Sequence, residues 1–527
     1  MMSKSLRRIA LGVCVLITGA TASAHAEDAP RAVAGNLVIC GGGDLPSEVY
    51  GAFFRLAGGK QARIVVIPTA SESADEPPSE VAMEPWQSLG AAQVERLHTR
   101  DRNVADQEAF IAPLRAATAV WIGGGDQSRL AEAYLGTTVE RELAALLARG
   151  GTIGGTSAGA AIMSRVMIAG GNPRPEMAAG FDLLPGAIVD QHFLARNRAT
   201  RLWQALAWNP NCFGVGIDEG TALVVQGRMM TVIGDSFVTF CWNPSSTRPA
   251  RTETLRAGQQ LDLVACQRAA LARVAPAFPS AQSVDPSLPG GSLLIIGGGP
   301  LPQETIPLFI ERAGGPDAPL VVVPGALEGN PPDDSDFVAM LREAGANNVR
   351  VFHLAERAQC FDAAQLKLLD DARGVWFSGG RQWRLVDLYL DTPVVDRFHA
   401  VLARGGVIAG SSAGATIQGD YLVRGNPLGN LEMMYEGYER GFGFLRGAAI
   451  DQHFTERNRF ADMTALKQAF PQLLGLGIDE GTALVVEGNG FEVIGAGGVA
   501  IYDQSSTENR TLRAGDRYEF LKQSPTQ

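Results

Sequence analysis

Two kinds of hydrophobic pattern alternate along the chain. Short unbroken apolar runs, such as Arg63-Ile64-Val65-Val66-Ile67 and Ala119-Val120-Trp121-Ile122, stop at Pro68 and Gly123. Runs of that length, without polar alternation, predict strands buried on both faces. Between them, residues 130–134 and 139–147 carry apolar positions at helical spacing. Strand, glycine turn, helix, strand is the rhythm of an α/β protein with a doubly wound, mostly parallel sheet, whose strand carboxyl ends form the ligand crevice. Later the pattern becomes more β-like, as at Val232-Ile233-Gly234 and Val493-Ile494-Gly495, and predicts extra C-terminal antiparallel strands.

The whole rhythm occurs twice. Asn36-Leu37-Val38-Ile39-Cys40-Gly41-Gly42-Gly43 is answered 256 residues later by Ser292-Leu293-Leu294-Ile295-Ile296-Gly297-Gly298-Gly299. His98 and His353, Gln127 and Gln382, and Ser157 and Ser412 are each 255 apart. His192 and His453, like Glu219 and Glu480, are 261 apart, so the second copy carries extra residues, placed here in 425–440. Residues 216–225 recur unchanged at 477–486. Solenoid repeats run to roughly 20–50 residues, so a period this long is a tandem domain duplication. The expected division is a first domain over 33–264, a Pro/Ser/Gly-rich linker over 265–290, and a second domain over 291–524.

Composition narrows the function classes. With 46% hydrophobic and 19% charged residues the chain is globular, and a net charge of −11 argues against a nucleic-acid partner. Lys4, Arg7 and Arg8 precede an apolar run over 9–17 and the small-x-small sequence Ala24-His25-Ala26. This reads as a signal peptide over 1–26, with export to the periplasm or medium and no membrane attachment after cleavage. The run is too short for a stable span. Beyond it five scattered cysteines remain, without a C-x-x-C pair, so neither a metal site nor a disulfide framework is expected. Cys40 and Cys360 are expected to be small buried hydrophobes. No dinucleotide or P-loop fingerprint stands at a strand end, and no cofactor is expected.

Gly155-Thr156-Ser157-Ala158-Gly159 is a G-x-S-x-G between a strand-like and a helix-like stretch, and Gly410-Ser411-Ser412-Ala413-Gly414 repeats it. Small flanking residues permit the strained turn of a nucleophile elbow. Taken singly, a glycine-rich turn is the plainer explanation; twice in the right context, the motif points to a nucleophile. A serine needs a base, and His192 and His453 share an Asp-Gln-His-Phe setting. His98 and His353 also match but read as structural histidines near strand ends. The acid that orients the base is sought in Asp218-Glu219 and Asp479-Glu480, with Asp190 and Asp451 left open. Gly123-Gly124-Gly125-Asp126-Gln127 and Gly379-Gly380-Arg381-Gln382 open helices after strands, where N–H groups suit an oxyanion. The expected donors are Ala158 with Gly124 or Gly125, and in the second copy Ala413 with Gly380. Arg196, Arg198 and Arg201 follow the first histidine and suggest a carboxylate pocket; Arg457 and Arg459 persist in the second copy, where Asp462 replaces the third.

Together, Gly-Gly-Thr-Ser157-Ala-Gly, Asp190-Gln191-His192-Phe193, Arg196-x-Arg198-x-x-Arg201 and Gly-Ile-Asp-Glu219 resemble the cyanophycinase and aspartyl dipeptidase family of serine peptidases. The resemblance covers nearly all the chain beyond the amino terminus, once per copy. It implies a flavodoxin-like, class-I-amidotransferase-like fold and two triads, Ser157-His192-Glu219 and Ser412-His453-Glu480. It further implies that Gln127, Asp190, Gln191 and the arginines shape a substrate pocket, answered by Gln382, Asp451, Gln452, Arg457 and Arg459. The implied substrate is cyanophycin, an arginine-bearing poly-aspartate, or a short isoaspartyl peptide, cut without a cofactor. Since the family's enzymes are typically single-domain dimers, the two copies are expected to pack as a pseudo-dimer.

Overall fold

The computed structural model describes residues 29–76, 83–288 and 290–520; the expected signal peptide lies outside them. In the first copy the strands are β1 (Asn36–Cys40), β2 (Arg63–Ile67), β3 (Gln93–Arg96), β4 (Ala119–Ile122), β5 (Thr152–Thr156), β6 (Val166–Gly170), β7 (Glu176–Ala179), β8 (Ala187–Gln191), β9 (Phe213–Ile217), β10 (Thr221–Gln226), β11 (Met229–Gly234), β12 (Phe237–Trp242), β13 (Arg251–Arg256) and β14 (Gln260–Asp262). One sheet has the order β14-β11-β10-β1-β5-β4-β2-β3. Its β1 to β5 part is parallel, and β10, β11 and β14 add antiparallel strands. A second sheet, β13-β12-β9-β8, pairs β8 and β9 in parallel.

Alternate residues of the central strands enter opposite cores, which is why their sequence shows no polar alternation. Leu37, Ile39, Val65, Ile67, Val120 and Ile122 face one core; Val38, Cys40, Ile64, Val66 and Trp121 face the other. Cys40 and Cys360 are both fully buried.

The second copy repeats the plan with β15 (Ser292–Ile296), β16 (Leu320–Val323), β17 (Val349–Val351), β18 (Gly374–Phe377), β19 (Val407–Ser411), β20 (Gly419–Tyr421), β21 (Leu445–Gln452), β22 (Leu474–Ile478), β23 (Thr482–Glu487), β24 (Gly490–Gly495), β25 (Gly498–Tyr502), β26 (Arg510–Arg513) and β27 (Arg517–Glu519). Its large sheet has the order β17-β16-β18-β19-β15-β23-β24-β27. The difference falls after the serine. The first copy forms the separate hairpin β6–β7, whereas β20 joins the smaller sheet beside β21 and is followed by the extra segment 425–440.

The expected linker is not all linker. Leu263–Val274 is a helix whose N-cap Asp262 accepts from the Ala265 N–H at 2.8 Å. Its Leu263, Cys266, Ala269 and Ala270 belong to the first core, while Ala265 reaches the second. The same helix meets the inserted segment. Arg268 donates to Asp387 at 2.7 Å, and the Tyr438 hydroxyl donates to that carboxylate at 2.8 Å. Glu436 accepts from Arg248, Arg251 and Arg273 at 3.0, 3.2 and 3.1 Å.

Candidate active site

Strand β5 runs into Ser157, where φ is 53° and ψ −110°, and then into the short helix Ala158–Ala161. A positive φ at a non-glycine residue costs about 1–3 kcal/mol and persists only where its surroundings enforce it. Close packing does so here. A Cβ on Gly155 would lie 2.4 Å from the Gly159 carbonyl oxygen, and one on Gly159 would lie 2.2 Å from that of Ile122. Larger residues at either place would push the turn off the sheet. Ser412 repeats the conformation, with φ 55° and ψ −111°.

The histidine arrives from the neighbouring sheet. His192 follows β8 directly and its N–H donates to the Gly41 carbonyl at 2.7 Å, tying that loop to the end of β1. Its Nε2 lies 2.8 Å from Ser157 Oγ, and its Nδ1 lies 2.5 Å from Glu219 Oε1, at the end of β9. A carboxylate only accepts, so Nδ1 carries the proton and Nε2 is left to accept from the serine hydroxyl. In the second copy the two distances are 2.9 and 2.5 Å, from Ser412 through His453 to Glu480. Burial pulls both imidazoles below their ordinary pKa; the hydrogen bond that each ring donates to its glutamate opposes that, and Arg196 or Arg457 adds to the lowering.

The carboxylates left open by the sequence separate cleanly. Asp218 turns away from the ring and accepts from the N–H groups of Leu194 and Ala195 at 3.0 and 2.9 Å, fixing the loop behind the histidine. Asp479 does the same for Thr455 at 3.0 Å. Asp190 is buried against Arg201, which donates from Nε at 2.8 Å and Nη2 at 2.5 Å.

Gly124 stands beside the serine: a Cβ on it would lie 3.4 Å from Ser157 Cβ. In the second copy that place is taken by Gly379, at 3.7 Å from Ser412 Cβ, and not by Gly380. Gly380 packs on the Ala326 carbonyl as Gly125 packs on that of Ala70. The expectation for Gly380 is therefore one residue out of register, because a serine, Ser378, replaces the first glycine of the run. Ala158 and Ala413 open their helices, so their N–H groups have no intrahelical acceptor.

Several expected pocket residues have other partners. Arg201 is buried and its remaining nitrogen, Nη1, donates to the Gly171 carbonyl at 2.8 Å, so it supports the pocket from behind and does not line it. Asp190 and Asp451 are likewise held by arginines. Gln127 donates its amide to the carbonyls of Ile168 and Ala169 at 2.8 and 2.7 Å, and Gln382 donates to those of Val423 and Arg424, both at 2.8 Å. These two amides pin the chain that follows each serine. Gln191 and Gln452 accept from Arg198 and Arg459. Burial brings both of those arginines down to about 10. Arg196 and Arg457 are exposed, beside the histidines.

Two features escaped sequence reasoning. Gly42 and Gly298 wrap the base so closely that a Cβ would lie 2.3 and 2.2 Å from the Cε1 of His192 and His453. The repeated glycine triplet was the signal for them. Arg424, just before the inserted segment, binds Asp451, and the matching residue of the first copy, Ala169, gave no sign of it. His98 hydrogen-bonds Thr69 and Asp75, and His353 bonds Asn330, apart from either serine.

The family model of Peptidase family S51 matches residues 37–233 and again 293–494. A cyanophycinase of Trichormus variabilis is 37% identical over 226 residues, 40% of this chain and 74% of that protein. A cyanophycinase of Geminocystis herdmanii is 37% identical over 216 residues, 38% of this chain and 78% of that protein. Among solved structures, a peptidase from an acI-B1 Actinobacterium is 25% identical with a TM-score of 0.36, covering 44% of this chain and 97% of that one.

Proposed function

The chain belongs to Peptidase family S51 in both copies and is a serine-type peptidase, and from that premise we propose that it is an exported enzyme cutting cyanophycin into β-Asp-Arg dipeptides. The observation that carries the reading is the unbroken relay from Ser157 Oγ through His192 to Glu219, at 2.8 and 2.5 Å. The relatives named as cyanophycinases supply the substrate class.

In this reading His192 Nε2 takes the hydroxyl proton as Ser157 Oγ attacks the carbonyl carbon of a main-chain aspartyl amide. The negative oxygen that forms is met by the N–H groups of Ala158 and Gly124. The C–N bond then breaks, the imidazolium returns its proton to the leaving amine, and an acyl ester remains on the serine. Water attacks that ester, His192 again relaying the proton, and the free serine is restored. Glu219 holds the ring and stabilises its cationic form. Arg196 and Arg198 supply positive charge for the free carboxylates of the substrate, those of its arginine branches and of the chain terminus.

Export rests on the cationic and apolar pattern over 1–26. The arrangement of the copies as a pseudo-dimer is supported by the ion pairs that Arg248, Arg251 and Arg273 make with Glu436. A short isoaspartyl peptide is the second substrate reading. It is favoured by the engagement of Arg201 with Asp190, which leaves a smaller cationic pocket than three free arginines would make.

The deciding experiment is digestion of insoluble cyanophycin by the purified protein, followed by mass spectrometry. Release of β-Asp-Arg, lost on Ser157→Ala with Ser412→Ala, is expected. Hydrolysis of short isoaspartyl peptides with none of the polymer would select the second reading.

A further inference from the structure

The two sites neutralise the same buried acid from different places in the chain. In the first, Arg201 reaches Asp190 from the helix Ala199–Trp208. In the second, the matching position on the helix Phe460–Ala469 is Asp462, the opposite charge. Without Arg424 the helix would present a second carboxylate to Asp451, which is fully buried and would keep only Arg459, donating from Nη1 at 2.7 Å. A buried carboxylate beside a like charge is strongly disfavoured.

Arg424 fills the gap. It is 2% exposed and donates to Asp451 from Nε at 3.0 Å and from Nη2 at 2.9 Å. The same Nη2 donates to Asp462 at 2.8 Å. Its Nη1 donates to the carbonyls of Asn430 and Leu431 at 3.2 and 2.9 Å, as Arg201 Nη1 donates to Gly171. The residue is built in: φ is 57°, its N–H donates to the Met433 carbonyl at 3.0 Å, and its own carbonyl accepts from Gln382. Electrostatics repeat the equivalence, since Arg424 bears on Arg459 as Arg201 bears on Arg198.

We propose that Arg424 is the positioning residue of the second site, holding Asp451, and through it Gln452 and His453, as Arg201 holds Asp190 in the first. The inference rests on the serine-peptidase reading of the second copy. It makes the second site a relocated version of the first, with the arginine moved from the helix to the residue just before the insertion, where the first copy has Ala169, and an acid left in its old place. It also predicts that the arginine can be moved back.

The test uses the full chain carrying Ser157→Ala, so that only Ser412 can react with a fluorophosphonate probe. Labelling lost on adding Ser412→Ala establishes that the second serine is active; its absence would count against the peptidase reading for this copy and not against the placement of Arg424. In that background Arg424→Ala is expected to slow labelling by about 100-fold, the cost of a misplaced site group. Asp462→Arg added to Arg424→Ala should bring the rate back to near its starting value. The second readout is the titration of His453 by NMR, which needs no reaction. His453 is flanked by Glu480, Arg457 and Arg459, and Asp451, which Arg424 holds, lies two residues before it in the chain. Loss of the Arg424 charge should raise its midpoint, and the relocated arginine should lower it again. Arg424→Lys, which keeps charge but loses the planar fork, should leave the midpoint near its original value while slowing labelling. An unmoved midpoint in Arg424→Ala, or no recovery with Asp462→Arg, would overturn the proposal.

Discussion

At His192 three influences compete, and their signs fix the pH behaviour. Burial lowers the imidazole, Glu219 raises it, and Arg196 lowers it further. The neutral ring is the base, so kcat/KM should fall as pH drops through a midpoint below the ordinary histidine value of about 6.5. Arg196→Ala removes a neighbouring cation, and the midpoint read from its pH–rate profile should rise. In a Ser412→Ala background, where only the first site turns over, Glu219→Gln is expected to lose roughly 10⁴ in kcat, since an amide permits the wrong tautomer. Retention of most activity in that variant would make Glu219 a bystander. Gly42→Ala tests the cradle, because the added methyl would lie 2.3 Å from the ring and must displace it. Steady-state assays in the same Ser412→Ala background should find about a 100-fold loss with the fold intact. At this scale the serine and histidine were legible because each recurs in a repeated setting, whereas Glu219 recurs beside Asp218 and was singled out only by the family resemblance. Arg201 was visible as a residue but misread as a substrate contact, since sequence spacing cannot say that a guanidinium faces Asp190 and not solvent.

Strands were the elements easiest to read, and their legibility has a physical basis. The runs at β1, β2 and β4 are apolar on both faces because a core lies on each side. The same packing makes Gly154 on β5 intolerant: a Cβ would lie 2.4 Å from the Trp121 ring. Gly154→Ala should therefore destabilise the protein by about 1–3 kcal/mol in urea unfolding, the usual range for overpacking. Unchanged stability would mean that the Trp121 ring moves freely aside. The helix Leu263–Val274 was harder to see, since it is rich in alanine and runs on into a stretch that reads as a domain boundary. Strand β20 was invisible for the opposite reason. It is only Gly419–Tyr421, with the polar Asp420 at its centre, and it exists because β21 is there to pair with it.

Across the whole molecule, the inserted segment does two things at once. Its carbonyls at Asn430, Leu431 and Met433 hold Arg424 in the second site, and farther along it offers Glu436 to Arg248, Arg251 and Arg273 of the first copy. No periodicity announces such a contact, because neither Glu436 nor its partners have a duplicate to match. Burial alone would raise the Glu436 carboxyl, but Arg273 and Arg248 hold it below its ordinary value. A carboxyl depressed in the folded state stabilises at pH above its unfolded value, near 4.3, and loses that contribution as pH falls through the folded value. The contact should therefore be intact at neutral pH and weaken only in acid. Glu436→Gln removes the charge at every pH and leaves three arginines facing an amide, a change in the class that costs about 3–5 kcal/mol. Calorimetry of the wild type at neutral pH should give one dominant unfolding transition, and the variant should separate into two as the copies uncouple. The functional consequence is asymmetric, because the segment builds only the second site. Labelling of Ser412 should slow in Glu436→Gln while labelling of Ser157 holds its rate. Equal rates at both serines, before and after the change, would mean that the two copies fold and work as independent units and that the first copy has no part in shaping the second site.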